Sequence, residues 1–281
     1  MSKKFSDSIG IIYAEGTVMI VDALNMAFSF RGQRDYSNKY IHMVQSLAKS
    51  YSAGRIIMVA DWGNSTFRRE ILPEYKANRK FENQTVAEKE AFEAFFKEYE
   101  ATLELLATKY EVYRYKGVEA DDLAAYIVRH MSRFNMESIW LISSDRDWDL
   151  LISDKVSRFS YVTRKEITVE TWPYDVTIDK YISYKCLVGD TGDNITGIAG
   201  IGPKKASALI KTYGDAFDIH EACPISSKYK YIQTLNEQKD IILRNYELMD
   251  LITYCAEAIG ASNVQDLEWR LNEQRSLTNT I

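Results

Sequence analysis

The sequence predicts an α/β fold: a mostly parallel central sheet with helices on both faces, followed by a helical C-terminal region. Short apolar runs recur at Val18–Val21, Ile56–Ala60 and Ser138–Ile142, and stretches of helical spacing separate them. Strands alternating with helices imply parallel pairing, because a parallel connection has room for a crossover helix. Each of the three runs is followed closely by an aspartate, Asp22, Asp61 or Asp145. Sites in open parallel sheets form beyond the carboxyl ends of the strands, so those aspartates stand where chemistry is expected.

Along the chain, the first sixteen residues show no period and are expected to be loose. Val18–Val21 reads as a buried strand, Ile41–Tyr51 as a helix and Ile56–Ala60 as a second buried strand. Thr85-Val-Ala-Glu88 has the capping-box pattern, in which Thr and Glu satisfy each other's free backbone amides, and it opens a long helix to about Lys109. That helix sets Phe92, Phe95, Phe96, Tyr99, Leu103 and Leu106 near one face, which reads as packing. Val112–Tyr115 is a short strand and Glu119–Met131 a helix. Beyond about residue 175 the pattern is helical, with a glycine-rich turn at 197–202, and the last twenty residues are polar enough to fray. The expected division is a core over 1–185 and a DNA-binding, helical region over 186–281.

Composition narrows the function. The 281 residues are 46% hydrophobic and 27% charged, an ordinary globular profile. No run of 18 apolar residues could span a membrane, and no leader pattern opens the chain. Three scattered cysteines and three scattered histidines lack zinc-site spacing; the cysteines fit a reducing cytoplasm. A net charge of −5 would argue against nucleic acid, but nine acids are concentrated in a few motifs. Setting those nine aside takes the balance to +4, a basic surface around an acidic hole.

The nine are Asp22, Asp61, Glu119, Asp121, Asp122, Asp145, Asp147, Asp190 and Asp193. Taken singly, each reads equally well as a turn or cap residue. Gathered at one end of a sheet, they would repel by about 4 kcal/mol per pair at ~4 Å, at an effective dielectric near 20. Divalent cations relieve that repulsion, and an all-oxygen ligand set selects hard ions, Mg²⁺ with Mn²⁺ as substitute. Two such ions can activate a water and stabilise the leaving oxygen of a phosphodiester.

Two further segments point to nucleic acid. Gly197-Ile-Ala-Gly200-Ile-Gly202-Pro-Lys204-Lys205 misses a nucleotide P-loop because Pro203 stands where lysine is needed. It reads as a helix–hairpin–helix: Gly200 and Gly202 let the backbone approach a phosphate, and Lys204 and Lys205 add charge. Arg68, Arg69, Lys76, Arg79 and Lys80 lie beside Phe67, Tyr75 and Phe81. Cations interleaved with aromatics suit a single strand, by charge along the backbone and stacking on bases.

Five ordered motifs resemble the flap endonuclease and 5′→3′ exonuclease family, including phage members, over roughly residues 17–255. They are Ile20-Val-Asp22 with Asn25; Leu72-Pro-Glu-Tyr-Lys-Ala-Asn-Arg79; Gly117-Val-Glu-Ala-Asp-Asp122; Ile142-Ser-Ser-Asp-Arg-Asp-Trp-Asp149; and Gly189-Asp-Thr-Gly-Asp-Asn-Ile195. The resemblance implies a first metal site from Asp22, Asp61, Glu119 and Asp121, and a second from Asp145, Asp147 and Asp193, with Asp122 and Asp190 supporting them. It implies a helical arch over about 66–108 whose base carries Tyr75, positioned to stack on a base, and the catalytic cations Lys76 and Arg79. It also implies a glycine turn that grips duplex DNA and, in relatives, K⁺. Arg146 departs from the small residue that relatives often have there. The implied substrates are 5′ flaps, strand junctions and RNA primers on DNA, cut by a monomer in a bacterial (for a virus, host) cytoplasm. A binder of branched DNA without activity and an RNA-cutting relative are the alternatives.

Overall fold

The computed structural model describes residues 14–79 and 85–278; Lys80 and Phe81 lie outside the described residues. Strand β1 (Ala14–Asp22) is the centre of a six-stranded sheet with β2 (Ala53–Val59), β3 (Glu111–Tyr113), β4 (Ser138–Ile142), β5 (Val156–Ser160) and β6 (Lys165–Ile167). The order is β3-β2-β1-β4-β5-β6; all pairs are parallel except the edge pair β5–β6. β1 therefore begins three residues inside the segment expected to be loose, while residues 1–13 lie outside the described region.

Side chains alternate across a strand, so β1 feeds two cores. Val18 and Ile20 pack on one face with α5 (Ala120–Arg129), α11 (Leu251–Ile259) and α12 (Ala261–Thr278). Met19 and Val21 pack on the other with α1 (Ala23–Phe28), α2 (Tyr36–Ser50) and α4 (Val86–Ala107). The capping box that opens α4 forms as expected, and Phe95, Tyr99, Leu103 and Leu106 are buried.

α12 corrects the expectation of a frayed terminus. Leu267 and Leu271 are fully buried, Arg270 lies over the Tyr113 ring, and Tyr126 donates to Glu268. A third core gathers α6 (Tyr181–Val188), α7 (Pro203–Tyr213), α8 (Ala216–Ala222), α9 (Lys230–Glu237) and α10 (Asp240–Met249). Between α6 and α7 lies a small hairpin of β7 (Gly189–Asp190) and β8 (Ile195–Thr196).

Candidate active site

The sheet changes direction of travel between β1, which leads to β2, and β4 on its other side, the point where open parallel sheets place their sites. Asp22, at the end of β1, accepts hydrogen bonds from the Asn25 amide (3.1 Å) and the Ser143 hydroxyl (2.7 Å). Asp61 follows β2 and accepts from the Ala120 amide (2.7 Å), tying that strand end to the start of α5. Asp121, in the first turn of α5, accepts from the Trp148 indole (2.6 Å), and Asp145, beyond β4, from the Asp147 amide (2.9 Å). All four carboxylates are satisfied by neutral donors; among the described residues none of them has a salt-bridge partner.

Their proton affinities carry the strain. Burial, and next the Asp61 carboxylate, hold Asp22 well above the ordinary aspartate range. Burial and Asp145 do the same to Asp121. Burial raises Asp61 against the pull of its bond from Ala120. Burial and Asp147 bring Asp145 up to about 6. Desolvation and like charge both disfavour the anion, so this half of the site has an unmet demand for positive charge.

The other five acids have cationic side-chain partners, against which burial still keeps Asp122 and Asp193 above their ordinary values. Arg68 makes a two-pronged pair with Asp122 (2.8 and 2.8 Å) and reaches Glu119 (3.2 Å). Lys76 Nζ sits 2.7 Å from Glu119 and 3.6 Å from Asp193, while Arg79 donates to Asp193 (2.7 Å). Lys185, buried in α6, holds Asp147 and Asp190. Burial would raise Glu119 and Asp147, but Lys76 with Arg68, and Lys185, outweigh it and bring both below their ordinary values. Among the described residues no group of three His, Cys, Asp or Glu stands ready-made as a metal cage.

The turn after α3 (Thr66–Ile71) brings the catalytic cations expected from sequence to this place. Its backbone is laced to the β7–β8 hairpin: Lys76 N donates to Asp193 O (3.0 Å), Asn78 to Thr191 O (2.7 Å), and Asn194 to Glu74 O (2.8 Å). Lys76 takes a left-handed φ of 56°, uncommon outside glycine and a form of strain that collects at functional sites. Tyr75 is not the exposed stacking surface expected: its ring is buried between Arg68 and Lys76, and its hydroxyl donates to both Glu119 and Asp193 (3.0 Å each). Arg68, expected at a DNA surface, is likewise buried, with its guanidinium on Asp122 and on the Leu248 carbonyl (2.9 Å). Asp122 is itself fully buried beside that guanidinium. Arg69 is exposed, as is Arg146, whose charge acts on Tyr174 and Tyr184.

The glycine turn lies apart from the acids, at the head of α7. Gly200 needs its φ of +81°, and a Cβ there would meet Tyr231 at 3.5 Å. Gly202 has no such constraint and nothing within 4 Å of a Cβ, so its backbone is bare to an approaching group. Pro203 starts the helix, where its missing N–H costs nothing. Lys204 is exposed; Lys205 is also exposed but turns back to the Gly200 carbonyl (2.7 Å).

Sequence reasoning overlooked Lys185 and Ser143. A lone lysine within the apolar run Tyr181–Val188 was the available signal for the first: such a charge is buried only with partners. Ser143 bridges Asp22 and the Asp145 amide (3.0 Å) and carries no local signal.

Residues 18–178 match the model of the 5′-3′ exonuclease N-terminal resolvase-like domain, and residues 176–274 that of the 5′-3′ exonuclease C-terminal SAM fold. The chain belongs to the 5′-3′ exonuclease family. It is 43% identical over 252 residues to the flap endonuclease of Escherichia phage T5, covering 87% of this chain and 86% of the relative. The T5 D15 protein co-crystallised with metal ions superposes with a TM-score of 0.86 at 41% identity, over 92% of this chain and 98% of that one. A pseudo-enzyme–product complex of the T5 D15 flap endonuclease with DNA and metal ions matches with the same TM-score, identity and coverage. The fold expected from sequence is thereby shown: a resolvase-like α/β core with the C-terminal helical unit of this family.

Proposed function

We propose that this 5′ nuclease hydrolyses phosphodiester bonds in 5′-flap and branched DNA, with 5′→3′ exonucleolytic cutting, in a Mg²⁺-dependent reaction that uses two ions. The observation that carries the reading is the charge imbalance of Asp22, which is buried, and of the half-buried Asp61, Asp121 and Asp145, carboxylates with neutral donors only. Their all-oxygen donor set fits a hard divalent ion, Mg²⁺ or Mn²⁺. Glu119 would join Asp22, Asp61 and Asp121 at the first ion, and Asp145, Asp147 and Asp193 would hold the second, supported by Asp190, once their lysine and arginine partners give way. Bound ions supply an activated water and a counter-charge for the leaving oxygen.

The chain's own residues do the positioning. Lys76 and Arg79, held over Asp193 by the laced turn, can exchange a carboxylate for a phosphate oxygen and stabilise charge that grows there. Removing one such donor should cost about 10²–10³ in rate. The Gly200–Gly202 backbone and Lys204 grip a duplex backbone, with K⁺ as a candidate partner of the turn's carbonyls. The exposed Arg69 extends the basic path toward a free 5′ strand, and Lys80 is assigned to the same strand from sequence alone. We place the protein, as a monomer, in the removal of flaps and RNA primers during replication in a bacterial cytoplasm; for a phage protein, that of its host. The capture of the T5 enzyme with DNA and metal ions supports this reading.

A 5′-labelled flap duplex incubated with Mg²⁺ or with chelator tests it. Cleavage near the junction with Mg²⁺ alone is expected, and Asp145→Asn should bind the flap yet leave it intact. Binding without cleavage by the unaltered chain would overturn the nuclease reading in favour of a DNA binder without activity.

A further inference from the structure

Beside the glycine turn, the segment from Ile225 to Ile232 and the outer face of α7 enclose a cleft that the phosphodiester chemistry does not use. Lys205, Thr212, Tyr213, Ser227, Tyr229 and Tyr231 line it. Tyr229 and Tyr231 stack at 5.8 Å between ring centroids with 23° between planes, and Lys205 Nζ lies 4.4 Å from the Tyr231 centroid. Tyr231 is thus contacted by both Tyr229 and Lys205 and serves as support. Tyr229, 57% exposed, presents a free face. Tyr213, at 36% exposure, faces the same cleft.

Charge singles out the occupant. Lys228 and Lys230 flank Tyr229 in sequence, both exposed and without a salt-bridge partner among the described residues, and Lys205 lines the opposite side of the cleft. Neither 203–213 nor 225–232 contains an acid. Cations interleaved with exposed aromatics match alternating phosphates and π-faces; a duplex hides its base faces, whereas an unpaired strand offers them. Lys205 reaches from the Gly200 carbonyl to the Tyr231 ring, so the cleft is continuous with the turn that grips duplex backbone in the function proposed above.

We propose that this cleft is a subsite for unpaired nucleotides that continue from the duplex held by the glycine turn: a base stacks on Tyr229, and Lys228 and Lys230 neutralise the flanking phosphates. The proposal rests on DNA being the partner but not on cleavage.

Fluorescence anisotropy of the full chain in chelator, where nothing is cut, measures it. Labelled blunt duplex is compared with the same duplex carrying a 5′ or a 3′ tail of about six nucleotides. One tail polarity should bind more tightly than blunt duplex. Tyr229→Ala should erase about tenfold of that gain and leave blunt-duplex affinity in place, and Tyr229→Phe should keep it. Lys228→Ala with Lys230→Ala should flatten the salt dependence of tailed binding by a slope of roughly 1.4, two phosphates at about 0.7 each. A tail gain of equal size in Tyr229→Ala and the unaltered chain, or no gain from either tail, would overturn the subsite. Flap cleavage with Mg²⁺, assayed in parallel, reports separately on the nuclease reading, and a far-ultraviolet melting curve shows that each variant is folded.

Discussion

Arg68 and Arg69 are neighbours in sequence with opposite circumstances. Arg69 projects into solvent, where a substitution usually changes stability by no more than about 0.5 kcal/mol. Arg68 is buried with both prongs on Asp122, so its loss leaves a carboxylate with neither water nor counter-ion. Breaking a buried pair in this way costs about 3–5 kcal/mol. Urea unfolding of Arg68→Met and Arg69→Ala should therefore differ by several kcal/mol, and equal midpoints would refute the clamp. Asp145 gives a prediction in pH. Its folded-state value of about 6 lies above the ordinary 3.8, so between those values the folded protein holds a proton that the unfolded chain has released. A raised carboxylate thus stabilises least at high pH: stability is lost as pH rises through that window, by on the order of 3 kcal/mol. In metal-free buffer Asp145→Asn should gain on the unaltered chain as pH goes from about 4 to 7. A gap that stays constant would show that Asp145 is not held in a repulsive field.

At the scale of elements, the central parallel strands β1, β2 and β4 were legible because a strand buried on both faces is a continuous apolar run, and Ser138–Ile142 is read to the residue. β5 was not legible. Val-Ser-Arg-Phe-Ser buries Arg158, which is possible only because Asp149 (2.6 Å) and the Ser143 carbonyl (2.9 Å) receive its guanidinium from other parts of the chain. The same cause hid the roles of Arg68 and Tyr75: a basic, aromatic segment looks like a nucleic-acid surface until the acids that claim it are folded beside it. α12 escaped because its polar side chains dominate while two leucines anchor it. Leu267→Ala and Leu271→Ala should each cost about 2–5 kcal/mol, as for full burial in a core. Thermal or urea unfolding decides; losses below about 0.5 kcal/mol would mean that the helix does not dock.

For the whole molecule, an excess of buried negative charge is tolerated in two ways, and the two respond differently to metal. Lys185, Lys76 and Arg68 compensate one group of acids internally, while Asp22, Asp61, Asp121 and Asp145 hold an open demand. A divalent ion that binds only the folded state adds about 2.7 kcal/mol at a hundred times its dissociation constant. For a chain of this size that is roughly 5–10 °C in Tm. Scanning calorimetry at pH 7.5 should show Mg²⁺ raising the Tm of the unaltered chain by several degrees. In Asp22→Asn with Asp145→Asn, two repelling anions are gone. That variant should melt higher than the unaltered chain without metal and rise little when Mg²⁺ is added. Lys185→Met should behave in the reverse sense: Asp147 loses its cation, the metal-free Tm falls, and Mg²⁺ recovers more than it adds to the unaltered chain. If all three proteins gained equally from Mg²⁺, the ion would be binding elsewhere, and the division of the acids into compensated and open halves would have no energetic meaning.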